Sequence, residues 1–206
     1  MITIGLTGGI ASGKSTVSAM LKDLGAYILD ADKVGHQAYE PGTKVWDEVV
    51  ASFGRDVVAE DGTIDRKKLG PIVFADPEAL KRLNAIVHPR MRETIRGILD
   101  DLRRKGGVPV AVVEAAVLIE AGWVPLVDEV WVTEAPERVA MERLMNRNGL
   151  SAEQAEARIQ SQLSNDERRR YAQRVIDTDC TLAEVGAQVS QLWAELTARA
   201  GAAKGV

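Results

Sequence analysis

Residues 2–17 of this 206-residue chain read ITIGLTGGIASGKSTV, and no other stretch restricts the fold as much. Ile2 to Leu6 is a short apolar run with the character of a buried strand. Val17, Met20, Leu21 and Leu24 then recur at the spacing of one helix face, within a helix expected over 13–24. Between strand and helix lie Gly8, Gly9 and Gly13, which would cost backbone entropy in any regular element and so mark a special backbone path. Gly8-Gly9-Ile10-Ala11-Ser12-Gly13-Lys14-Ser15 fits G-x-x-x-x-G-K-[ST], with the strand before it and the helix after it that this motif requires. Around Gly9, Ala11, Ser12 and Gly13 the backbone can close into a nest of inward-facing amides, and the helix N-terminus adds its partial positive charge. Lys14 then supplies an ammonium to β/γ oxygens, Ser15 a hydroxyl to Mg²⁺, and Thr16 a contact to a further phosphate oxygen. The ligand this predicts is ATP or another nucleoside triphosphate, taken up with Mg²⁺.

The rest of the chain fits a sheet around that loop. Ala26 to Leu29 reads as a second strand ending at Asp30-Ala31-Asp32. Residues 34–105 are almost wholly helical in pattern, with stripes at Val45, Val49, Val50 and Phe53, at Leu80, Leu83, Ile86 and Val87, and at Met91, Ile95, Ile98 and Leu102. Strand character returns at 108–118 and 129–133, and a short last strand is expected at 174–176. Helices are expected at 136–147, at 151–163 (opened by a capping box of Ser151 and Gln154) and at 182–196. NDERRR at 165–170 reads as a charged connector, and GAAKGV at 201–206 as a frayed tail. Strands alternating with helices predict an α/β protein of P-loop NTPase fold, a parallel sheet covered by helices on both faces. The core is expected over 1–32, 108–135 and 172–206, an inserted helical acceptor-binding subdomain over 33–107, and a small helical lid over 136–171.

Composition narrows the classes. A net charge of −4 gives no electrostatic reason to expect a nucleic-acid partner. The single cysteine, Cys180, excludes an intrachain disulfide and a zinc cluster and is read as a small, buried or half-buried residue without chemistry. No apolar run approaches a membrane span and no leader pattern opens the sequence, so no membrane partner is expected and a cytoplasmic setting is.

The loop does not say what receives the phosphate. Asp32-Lys33-Val34-Gly35 fits the D-x-x-G of a GTPase, but it follows Ser15 by only seventeen residues and no N-K-x-D for guanine is found. A motor or transporter ATPase would be larger or carry a partner-contact signature. A small-molecule kinase explains both insertions, because transfer requires the acceptor held in line and water excluded. A non-catalytic nucleotide switch is the rival from another class. Asp30 and Asp32 lie beyond the carboxyl end of the second strand, where ligands of open parallel sheets bind. Asp32 there is either the base for an attacking hydroxyl or simply the cap of a helix starting near Lys33.

Taken together, LTGGIASGKST at 6–16, DAD at 30–32, EPG at 40–42, DGT at 61–63, IVFADPEALKRLNAIVHP at 72–89 and VLIE at 117–120 resemble the dephospho-CoA kinases over nearly the whole length. The resemblance implies transfer of the ATP γ-phosphate to the ribose 3′-hydroxyl of dephospho-CoA. It implies Asp32 as the base, with Lys14 and Arg143 as its catalytic companions. Arg143 and Arg147, four apart on one helix face, would be lid contacts to ATP. Thr7, Asp32, His88, Leu118 and Glu120 would be acceptor contacts. One departure stands out: where the family often reads D-x-P-L-L-F-E, this chain has Glu114-Ala115-Ala116-Val117-Leu118-Ile119-Glu120, closer to the kinase half of the animal bifunctional CoA synthase. The chain is expected to be the single-function form.

The remaining distinctive residues read as structural. His36 is expected at the surface or an interface, and Trp46, Trp123, Trp131 and Trp193 in packing. Pro89 should kink or start a helix. Arg168, Arg169 and Arg170 are expected on a solvated face.

Overall fold

The apolar N-terminal run forms β1 (Ile2–Gly8), and the helix expected after the loop is α1 (Lys14–Asp23), followed by β2 (Tyr27–Asp30). The computed structural model describes residues 1–202, except for the side chains of His36, Gln37 and residues 200–202. The surface role expected of His36 and the expected tail from residue 203 therefore lie outside the described residues. Two further strands, β3 (Val110–Glu114) and β4 (Glu129–Glu134), flank β1, and β5 (Arg174–Asp177) completes a five-stranded sheet in the order β2-β3-β1-β4-β5. β1 runs parallel to β3 and to β4, and β4 runs parallel to β5. Val110, Ala111, Val112 and Val113 are all buried, as in a strand covered on both faces.

The chain divides into two compact units. One comprises Met1–Leu29 and the residues from Leu102 onward; the other is Asp30–Asp101. In the first, Ile4, Leu6, Val110, Val112, Trp131 and Ile176 of the sheet pack with Val17 and Leu21 of α1. Val185, Val189 and Leu196 of α9 (Leu182–Ala202) close that layer. On the other face of β1, Leu118 lies over Gly5: a Cβ there would stand 2.6 Å from a Leu118 methyl. Between β4 and β5 come α6 (Glu137–Asn148), α7 (Ala152–Gln160) and α8 (Asn165–Arg169). The capping box at Ser151 and Gln154 is present. Trp123 and Trp131 are fully buried, while Trp46 and Trp193 are half-buried. Among the described residues no helix is long and apolar enough to cross a membrane.

The second unit contains α2 (Ala31–Ala38), α3 (Lys44–Phe53), α4 (Arg66–Ala75) and the greater part of α5 (Pro77–Lys105). It is not purely helical, since Val58 and Ile64 form an antiparallel bridge across a turn.

Two elements differ from the sequence reading, each for a physical reason. The third strand stops at Glu114 rather than running to 118. The chain then coils, with Trp123 N donating to the Leu118 carbonyl at 2.9 Å, and the apolar run continues only because Leu118 is core. Pro89, expected to kink or start a helix, lies inside the 29-residue α5. A proline there costs ~3 kcal/mol. Its neighbours outweigh this: Ala79, Leu83, Val87, Met91, Ile95 and Leu99 are buried, at ~1.5–3 kcal/mol for each large side chain. The carbonyl left without a donor is that of exposed Ala85, within reach of water. NDERRR is a helix rather than a connector, because Ser164 and Glu167 form a second capping box.

Candidate active site

The loop between β1 and α1 is shaped by close approach as much as by flexibility. A Cβ on Gly8 would lie 2.2 Å from Thr133 Oγ1 and 2.5 Å from the Thr133 carbonyl, so only glycine lets β1 end against β4. Gly13 has φ 81°, and a Cβ there would also press on Thr178 at 3.0 Å. Ala11 takes the left-handed region without being glycine, at φ 58°. Ser12 is buried, with Oγ 2.8 Å from Thr133 Oγ1. Gly13 gives α1 no side-chain cap, so the amides of Lys14 and Ser15 open the helix with no partner inside it. Ser15 and Thr16 are exposed on its first turn. This arrangement can bind an anion through backbone amides, the helix dipole and Lys14.

Lys14 Nζ lies 3.2 Å from Glu114 Oε1, with both side chains 15% exposed. Glu114 ends β3 and is in register with Leu6 of β1, so a carboxylate stands at the carboxyl edge of the strand next to the loop. Sequence reasoning noted Glu114 only as a departure from a family pattern. Its pairing with Lys14 depends on strand register, which no local motif records.

Residues far along the chain hold the loop. Arg143 of α6 donates to the Ala11 carbonyl at 3.3 Å, to Thr178 Oγ1 at 2.9 Å and to the Thr178 carbonyl. Buried Thr178 in turn places its hydroxyl 3.1 Å from the Ser12 carbonyl. Gln162 Oε1 accepts the Ile10 amide at 2.8 Å. Arg147, one turn after Arg143, is exposed and bonds Asn148 Oδ1 at 3.1 Å. The two arginines thus share a face, but only Arg143 reaches the loop.

The expectation of a solvated face at 168–170 is overturned at its first residue. Arg168 is 1% exposed. Its guanidinium donates to the Leu163 carbonyl and to Glu120 Oε1 at 3.2 Å, and its Nε is buried without a hydrogen-bond partner among the described residues. Burial draws its pKa below the ordinary arginine value, against the pull of Glu120 and Glu167. A Cβ on Gly9 would lie 3.7 Å from this guanidinium, so Arg168 flanks the loop. Arg169 pairs with Glu134 at 2.6 Å. The S-x-x-E at 164–167 was the available clue, since it starts a helix that turns Arg168 inward.

The other expected residues divide by unit. Thr7 is wholly buried, its hydroxyl donating to the Ala116 carbonyl at 3.3 Å, and Leu118 is wholly buried in the core. Glu120 lies beside Arg168, as above. In the second unit, Asp30 Oδ1 accepts the amides of Asp32 (3.0 Å) and Lys33 (3.3 Å), so Asp30 rather than Asp32 caps α2. Asp32 is exposed on the first turn of α2. His88 is half-buried on α5, and burial lowers its pKa, which keeps the ring neutral at pH 7. No group of three or more acidic, histidine or cysteine side chains able to hold a metal occurs among the described residues.

Comparison with known proteins gives consistent results. Residues 2–184 match the dephospho-CoA kinase family. A dephospho-CoA kinase from Geobacter sulfurreducens is 48% identical, over 95% of this chain and 98% of the relative. Among solved structures, a dephospho-CoA kinase from Campylobacter jejuni superposes with a TM-score of 0.71 at 28% identity, covering 94% of this chain and 96% of that one. A shikimate kinase from Acinetobacter baumannii, 19% identical with a TM-score of 0.51 over 95% and 94% of the two chains, shares the fold alone.

Proposed function

The chain belongs to the dephospho-CoA kinase family and phosphorylates dephospho-CoA to coenzyme A with ATP as donor, and we propose that the residues described above divide that reaction between them. The phosphates of ATP occupy the nest of Gly9, Ala11, Ser12 and Gly13, with the opening amides of α1 and the Thr16 hydroxyl against their oxygens. Lys14 shifts its ammonium from Glu114 to the β/γ oxygens, stabilising charge as the bond to the leaving ADP lengthens. Arg143, already bonded at the loop through Ala11, adds a second cation there. Asp32 accepts the proton of the ribose 3′-hydroxyl as that oxygen attacks in line. Thr7, Leu118, Glu120 and His88 are the side chains assigned to the acceptor.

The donor set around Lys14 suits Mg²⁺. Ser15 and Glu114 offer oxygen ligands only, and Mg²⁺ takes one or two protein oxygens with phosphates and water completing its shell. When bound, the ion neutralises charge on the β and γ oxygens.

The observation that carries this assignment is Arg143 held against the Ala11 carbonyl, because it sets a cation with no carboxylate partner among the described residues at the lip of a phosphate nest. The test is ADP release measured with and without dephospho-CoA. Release should depend on the acceptor, and acceptor-independent release alone would favour the nucleotide switch. In Asp32→Asn, turnover should fall ~10²-fold with ATP affinity unchanged. A parallel loss of ATP affinity would count against the base and for a structural or metal role.

A further inference from the structure

Five arginines among the described residues are not exposed: Arg90, Arg92, Arg143, Arg168 and Arg174. Three have a carboxylate within 4 Å. Arg90 has Glu48 and Glu93, Arg168 has Glu120, and Arg174 has Glu195. The other two have none. Arg143 is bonded to carbonyls and a hydroxyl at the phosphate loop, where an anionic substrate supplies the missing charge. Arg92 is the corresponding case in the second unit. Its Nε is buried and has no hydrogen-bond partner among the described residues.

The helix explains why no carboxylate reaches it. On α5, the residues one turn either side of Arg92 are His88 and Arg96, and those three away are Pro89 and Ile95. Arg90, two positions earlier on a different face, takes Glu93 from the same helix and Glu48 from α3. A guanidinium partly withdrawn from water without a counter-charge is destabilising, and a fold retains such a group most readily where a ligand completes it. An arginine presents a planar fork of N–H donors that matches phosphate oxygens two at a time. His88, one turn away and neutral, can donate or accept a hydrogen bond without adding charge.

We propose that Arg92 is an acceptor-binding residue that grips the diphosphate of dephospho-CoA, with His88 beside it on the same face of α5. The inference rests on the acceptor assignment made above. The diphosphate is the anionic group of that acceptor, so it is what a lone cation outside the nucleotide loop can recognise.

The experiment is steady-state kinetics of the full chain and of Arg92→Met and Arg92→Lys, varying dephospho-CoA at saturating ATP and then ATP at saturating dephospho-CoA, with thermal midpoints recorded. In Arg92→Met the KM for dephospho-CoA should rise ~10–100-fold while the KM for ATP stays within twofold. In Arg92→Lys, which keeps a cation but loses the fork, the rise should be smaller, ~3–10-fold. A KM for dephospho-CoA within twofold of the unsubstituted protein in the lysine and methionine variants overturns the proposal. So does a parallel rise in the KM for ATP, which marks a merely structural residue. Should Arg92→Met fail to fold, Arg92→Lys decides by the same criteria. Failure of the unsubstituted protein to phosphorylate dephospho-CoA would overturn the acceptor assignment itself, and this inference with it.

Discussion

Residues 8–16 and residues 162–178 both define the phosphate loop, but they do so by opposite means. The first segment is contiguous, and its parts act through backbone: Gly8 permits contact with β4, Gly13 turns with a positive φ, and α1 presents its open amides. The second contributes side chains that arrive singly, Gln162 on the Ile10 amide, Arg168 beside Gly9 and Thr178 under Ser12 and Gly13. In the proposed reaction the first segment meets substrate charge, whereas the second supports the loop, two of its three groups, Arg168 and Thr178, being themselves buried. Losses in the supporting segment should therefore register as stability, and losses in the loop as turnover.

The sharpest test of that division lies in the Arg168–Glu120 pair. Glu120→Ala strands a guanidinium that is 1% exposed, and should lower unfolding stability by about 3 kcal/mol or more in denaturant titration. Arg168→Met removes the buried charge together with its unpaired Nε, and should cost about 1 kcal/mol or less. Equal losses for the two variants would break the comparison, because the pair would then contribute attraction rather than mutual relief of burial. Lys14→Ala should do the converse. Turnover at saturating ATP falls ~10²-fold with little change in thermal midpoint, since the residue it leaves, Glu114, is near enough to the surface to hydrate. Near-normal turnover would remove the loop from the chemistry. The smallest effect separates the two arginines of α6. Arg143→Lys keeps charge but loses the fork on Ala11 and Thr178, and turnover should drop ~10-fold, whereas Arg147→Lys should remain within about twofold. Equal losses would show that Arg147 closes onto the nucleotide.

Much of this site was legible from the sequence because its determinants sit next to one another. The nest, Lys14 and Ser15 follow from eight consecutive residues between a strand and a helix, and DAD announced a carboxylate at the end of β2. Even there a neighbour changed the reading, as Asp30 rather than Asp32 caps α2. Three arginines in a row gave no sign that the first would be buried and the second paired with Glu134. That α5 continues through Pro89 rests on the six buried residues that hold the helix together.

By itself the sequence determined the alternation of strands and helices, the course of the phosphate loop and the place of Lys14 at its end, since backbone conformation and capping depend on residues a few positions apart. Only the tertiary structure decided that Glu114 meets Lys14, that Thr133 and Thr178 close on Gly8 and Gly13, that Arg168 is enclosed with Glu120, and that Arg92 Nε is buried with no partner among the described residues. Those outcomes depend on where sheet register and helix packing deliver side chains separated by up to 166 positions, and burial and charge pairing belong to the space around a residue rather than to its neighbours in sequence.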